Sequence, residues 1–191
     1  MTLRGLSLAV MMKLPHITAR AILLAFAVAT LWLVLILISP YLIPAGTLTD
    51  ISGRVGGHEN EDQFEGLNPV AHAVYWLGDA ECHQLANRSY FLNDNQMPFC
   101  SRDLGLFAGV ALGFGIATFY RPKVKPWLYL IAIAPLALDG GLQAITSYES
   151  NNPLRLATGV LAGVGLALLL AEFVFVLAQD ASEAKAKKPT E

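Results

Sequence analysis

Long apolar runs alternate with polar stretches along the whole chain. From Ala21 to Ile38 the sequence AILLAFAVATLWLVLILI is interrupted only by Thr30. About 18 such residues suffice to span a bilayer as a helix. Secretory signal cores are shorter, about 7–15 residues, and end at a small-x-small cleavage site. This run ends in Pro40-Tyr41-Leu42, so an uncleaved helix is expected, with Met11 and Met12 as alternative starts. Three further spans are predicted at Leu104–Tyr120, Trp127–Tyr148 and Leu156–Ala178. Small residues recur four apart in two of them, at Gly105, Gly109, Gly113 and at Gly159, Gly163. That spacing lets helix backbones approach closely, and a homo-oligomer joined through these stripes is one expectation.

The polar segments have their own patterns. Residues 44–66 hold Asp50, Glu59, Glu61, Asp62 and Glu65 against Arg54, with glycines at 46, 53, 56, 57 and 66. They read as a flexible acidic loop. His58 among these carboxylates is a weak metal candidate beside that reading. Asn68-Pro69 then opens a helical pattern, Asn68 suiting the N-cap and Pro69 the first turn. His72, Asp79 and Glu81 interrupt its apolar face. An interfacial helix is expected, with Tyr75 and Trp76 at headgroup level, leading into a Cys/His motif that completes residues 67–103. The chain thus divides into residues 1–43, 44–66, 67–103, a three-helix core at 104–178 and a charged tail at 179–191.

Composition supports a multi-pass membrane protein. The chain is 54% hydrophobic and 15% charged, against about 25% charged in soluble domains. A formal charge of −2, without a basic-aromatic stretch, argues against a nucleic-acid partner; the bilayer is the partner expected. Nine of the 13 basic residues fall in three groups: Arg4, Lys13 and Arg20; Arg121, Lys123 and Lys125; Lys185, Lys187 and Lys188. The positive-inside rule places these in the cytoplasm with both termini. Residues 44–103 and 148–155 then face outward. The expected architecture is an all-α, four-helix transmembrane bundle in the cell membrane with an extracytoplasmic interfacial helix.

Candidate chemistry gathers at the outward ends. Arg88, Arg102, Asp139, Gln143, Glu149, Asn152 and Arg155 form a candidate ligand site. A carboxylate at the depth of Asp139 needs a partner, and Arg102 or Arg155 can supply it. The alternative is that these groups only pin helix ends together. Gly140-Gly141 beside Asp139 could unwind the third span, as in helices broken at binding sites. Glu172, in the inner third of the last span, reads as a proton-relay group or a polar interhelical contact. Asn87-Arg-Ser89 is a formal glycosylation sequon, a weak signal.

Three readings of the cysteines stay open. Cys82 and Cys100 share an oxidising compartment on this topology; a disulfide would close about 17 intervening residues and contribute about 3 kcal/mol. Cys82, His83, Cys100 and Asp103 suit a metal, zinc by composition, provided the helix ends before the adjacent Cys82 and His83. A thiol-exchange pair is the third.

The strings Cys82-His83-Gln84, Arg88-Ser89 and Met97-Pro98-x-Cys100-x-Arg102-Asp103-x-Gly105 resemble a family of prokaryotic predicted membrane proteins, the domain of unknown function numbered two thousand and eighty-five. Asp139-Gly140-x-x-Gln143, Glu149-Ser150-x-Asn152, Arg155 and Thr158-Gly159 resemble its second signature. The resemblance covers Val70–Leu170. Many relatives carry Cys where this chain has Asp103, so Cys-x-x-Cys becomes Cys-x-x-Asp here. The resemblance implies a small helical membrane protein and supplies no activity. Three functions therefore compete: an outward site for a metal or a small polar or anionic ligand, a transporter or channel passing Asp139 and Glu172, and a structural or assembly factor stapled by a disulfide.

Overall fold

The computed structural model describes residues 16–121 and 125–186. Arg4, Lys13, Lys123, Lys187 and Lys188, which carry part of the charge asymmetry, lie outside them, as do Met11 and Met12. Helix α1 spans His16–Ile38, followed by a 3-10 turn at Ser39–Tyr41. A short α2, Glu61–Phe64, precedes α3 at Pro69–Glu81. A two-stranded hairpin, β1 Phe91–Leu92 and β2 Asn95–Gln96, follows. Then come α4 at Ser101–Phe119, α5 at Pro126–Ile131, α6 at Ala134–Ile145 and α7 at Asn152–Ala186. Among the described residues, four segments are long and apolar enough to cross a membrane: Thr18–Tyr41, Ser101–Phe119, Pro126–Ile145 and Asn152–Ala181.

The glycine stripes define the bundle's central seam. A Cβ on Gly105 would lie 2.3 Å from the Leu156 carbonyl oxygen, and one on Gly109 equally close to that of Val160. From the other side, a Cβ on Gly159 would meet the Arg102 carbonyl at 2.3 Å, and one on Gly163 that of Leu106 at 2.2 Å. The partners rise in step, so α4 and α7 run parallel in backbone contact. Both stripes are consumed within one chain. Gly105, Gly109, Gly113, Gly159 and Gly163 thus face the neighbouring helix of the same chain.

The third span is two helices. Ala132 and Ile133 donate their backbone N–H groups to residues three back, tightening the turn, and Pro135 sits in the first turn of α6. Proline removes a backbone donor and clashes with the preceding turn, which ends α5. Gly140-Gly141, the expected break, is helical.

The segment between the first two spans is folded onto the bundle. Leu48, Ile51 and Phe64 pack with Ala71 and Tyr75 in one buried cluster, so much of the acidic stretch is anchored, where the sequence suggested a flexible loop. Tyr75 is fully buried and donates to the Gln96 carbonyl at 2.7 Å, so only Trp76 of the two aromatics remains exposed. Asn68 caps α3 by accepting from the Val70 N–H at 2.9 Å. Asn95 crosslinks the turn after α1, donating to the Pro40 and Pro44 carbonyls and accepting from the Leu48 N–H. Trp32 meets Phe99 and Phe107 edge-on at 5.9 and 6.1 Å, tying α1 to the cap and to α4.

Substituting Gly163 by Ala should therefore separate α4 from α7, at a cost of about 1–3 kcal/mol as for other overpacked contacts. Gly141→Ala, where nothing lies within 4 Å, should cost less than 1 kcal/mol. Thermal unfolding of both purified variants tests the contrast.

Candidate functional site

Two helix ends bring the cysteines together. Cys82 is the C-cap of α3 and Cys100 the N-cap of α4. Gly78 sets their separation: a Cβ there would lie 2.1 Å from the Pro98 carbonyl oxygen. The same carbonyl accepts from Gln84 Nε2 at 2.7 Å. One Sγ from each cysteine and a carboxylate oxygen of Asp103 lie within 4.8 Å of one another. Cys100 Sγ donates to Asp103 Oδ2 at 3.2 Å, and the Cys100 N–H points at Cys82 Sγ at 3.4 Å.

Two sequence expectations are corrected here. Cys82 and Cys100 are free thiols, their sulfurs close to each other but not at bonding distance. His83 stands outside the ligand group. The helix does end before it, as the metal reading required, but Cys82 is extended (φ −134°, ψ 147°). Successive side chains of extended backbone point to opposite faces, so Cys82 is buried and His83 exposed. His58, the other candidate ligand, stacks on Trp76 at 4.2 Å.

The thiols differ in acidity. The hydrogen bond to Cys100, together with burial, pushes the Cys82 thiol up. The same bond, donated by Cys82, holds Cys100 below the ordinary thiol range. The N-terminus of α4 adds the positive end of a helix dipole, which favours a thiolate.

Beside this group lies the polar cluster. Arg102 donates to Asp139 Oδ2 at 2.5 Å and to Gln143 Oε1 at 3.2 Å. The Tyr148 hydroxyl donates to Asp139 Oδ1 at 3.2 Å. Of the two arginines expected as its partner, Asp139 thus takes Arg102. Arg88 pairs with Glu149 at 3.0 Å. Ser101 Oγ lies 2.9 Å from both the Arg88 carbonyl and Asn152 Oδ1, and Asn152 Nδ2 donates to the Ser89 carbonyl at 3.2 Å. Arg155 is buried, with Arg155 Nη1 to Asn152 Oδ1 at 3.4 Å as its hydrogen bond. All seven residues of the sequence-derived ligand site therefore share one end of the bundle. Ser101 and Tyr148 are additions; Ser101 was hidden as an ordinary first-turn serine, and Tyr148 as an aromatic at a helix end.

At the opposite end Arg121 grips Glu172 with two nitrogens, at 3.2 and 2.9 Å, and its guanidinium stacks 4.6 Å above Phe175. Glu172 is thereby a paired interhelical contact.

Fold and site together define a multi-pass helical membrane protein with a thiol, carboxylate and guanidinium cluster at one end of its bundle. Residues 82–169 match the family described as predicted membrane protein (DUF2085). An uncharacterized protein of Methanocaldococcus jannaschii is 36% identical over 110 residues, 55% of this chain and 69% of the relative. An uncharacterized protein of Methanothermobacter thermautotrophicus is 35% identical over 91 residues, 46% of this chain and 82% of the relative. The chain belongs to this family of predicted membrane proteins. No solved structure matches it.

Two outcomes follow from the geometry. Asp139→Leu strands a largely buried Arg102 and should cost about 3–5 kcal/mol, whereas Asp139→Asn keeps an acceptor and should cost less; chemical denaturation in detergent ranks them. In the metal-free protein Cys100 should alkylate at lower pH than Cys82, and Cys82→Ala, which removes the donor, should move the Cys100 profile to higher pH. Mass-resolved alkylation across a pH series reads both.

Proposed function

We propose that this protein is an integral membrane protein whose extracytoplasmic end binds a divalent metal through Cys82, Cys100 and Asp103. The observation carrying this reading is the convergence of three ligand atoms within 4.8 Å, from two helix ends and one helical turn. Two thiolates and a carboxylate favour zinc. Three protein ligands leave a fourth position open for water or substrate, the arrangement of catalytic and not structural zinc sites. Asp103 adds an oxygen ligand to the two sulfurs, which makes the set harder than an all-thiolate one.

The outward placement rests on the basic residues, which by the positive-inside rule put residues 44–103 and 148–155 outside and both termini in the cytoplasm. A continuous transport path is disfavoured. Asp139 and Glu172 are each closed by their own arginine. Between the helices, a cavity of about 190 Å³ has Arg102 and Asp103 at its polar end but is otherwise lined by Leu106, Ile133, Leu136, Ala162 and Leu166. A purely structural role fits less well, since it calls for paired charges without a cavity.

Elemental analysis of protein purified without chelators should find about one zinc per chain. Cys82→Ser, Cys100→Ser and Asp103→Asn should each lower that content, and His83→Ala should not. Wild-type protein that stays metal-free after zinc loading and desalting would overturn the proposal.

A further inference from the structure

The arginine cluster is short of acceptors. Four buried side-chain nitrogens among the described residues lack a hydrogen-bond partner: Arg88 Nε, Arg102 Nε, Gln143 Nε2 and Arg155 Nε. All four belong to the one cluster, and all four are donors. The nearby carboxylates are already engaged, Glu149 by Arg88 and Asp139 by Arg102 and Tyr148. Among the described residues Arg155 has no carboxylate within ion-pair distance, yet only 2% of it is exposed. A buried guanidinium in that position is costly unless an anion answers it.

We infer that Arg155, with Arg88 and Arg102, holds a phosphate group at the outer end of the bundle. A tetrahedral phosphate offers several terminal oxygens to donors that stand in different directions, and guanidinium forks match it bidentately. A further carboxylate, with two oxygens in one plane, would satisfy fewer of the four. The parallel α4 and α7 begin side by side, joined through Ser101 and Asn152, so two helix N-termini add their positive ends to the same place. Arg155 sits in the first turn of the last span, the level at which lipid phosphates lie. A phospholipid headgroup and a soluble phosphate compound share this chemistry. The inference stands on the arginines and not on the metal ligands: Arg155→Gln should keep its metal, so metal content separates failure of this inference from failure of the metal reading.

The test is thermal unfolding of the purified full chain in detergent, titrated with inorganic phosphate at constant ionic strength, and in parallel with phosphatidylglycerol against phosphatidylcholine in mixed micelles. A saturable rise in melting temperature is expected, about 3–5 °C at tenfold excess over Kd. Arg155→Gln should lose it, and Arg155→Lys, which keeps the charge but not the fork, should bind about tenfold more weakly; Arg54→Gln, at an exposed site, should respond as wild type. A rise with inorganic phosphate assigns a soluble phosphate compound. A rise with phosphatidylglycerol alone, beyond that with phosphatidylcholine, assigns a headgroup. No rise in either arm, or an equal rise in Arg155→Gln, would overturn the inference. Should Arg155→Gln fail to fold, Arg155→Lys decides: undiminished affinity there also overturns it.

Discussion

The backbone contact between α4 and α7 is the constraint on which the rest depends. In a bilayer little hydrophobic force drives helices together, so association relies on close packing and polar contacts. Gly105, Gly109, Gly159 and Gly163 supply the packing by leaving carbonyls of the opposite helix where Cβ atoms would stand. Because the helices are parallel, their N-termini meet at one level. Ser101 and Asn152 touch there, Arg102 and Arg155 start from adjacent turns, and Cys100 is carried to the edge of the same cluster. A shift of this seam would disperse the site without changing any of its residues.

The cap contributes the other half. Its apolar cluster around Phe64 and Tyr75 joins α3 to the segment after α1, Val74, Met97 and Phe99 pack with Ile36 and Leu104 of the bundle, and Gly78 lets the end of α3 approach the Pro98 turn. Cys82 thereby meets Cys100 across the hairpin segment that separates α3 from α4. The amide network of Gln84, Asn95 and Gln96 satisfies the buried backbone in a segment with little regular structure. Burial without that network would leave backbone groups unpaired.

Much of this was legible in the sequence, and the failures have physical causes. The four spans follow from length and apolarity alone. Asn68-Pro69 announced the start of α3 because a cap is a local interaction. The Asp139 pairing was legible because an isolated carboxylate is too costly at that depth. Other features depend on tertiary contacts. The glycine stripes announced close packing but not its partner, which proved to be within the chain. The helix break went to Pro135 and not to Gly140-Gly141, since glycine permits a break whereas proline imposes one. The hairpin's signal was Asn93-Asp94, two residues that tolerate positive φ (52° and 56°) and suit a two-residue turn. Its flanking strands are too short to show alternation. His83 could not be separated from Cys82 by spacing, because the conformation of one residue decides which of them turns inward.

The proposed metal centre has two thiolate ligands and one carboxylate, from Cys82, Cys100 and Asp103. Cobalt(II) substitution read by optical absorption tests it most directly, since cobalt reports both coordination number and sulfur ligation. Intense tetrahedral d–d bands with thiolate-to-cobalt charge transfer are expected, with a loss of about half that charge-transfer intensity in Cys82→Ser or Cys100→Ser, in proportion to the ligands Cys82 and Cys100 provide. A weak octahedral spectrum without charge transfer, or charge transfer unchanged in both variants, would contradict it.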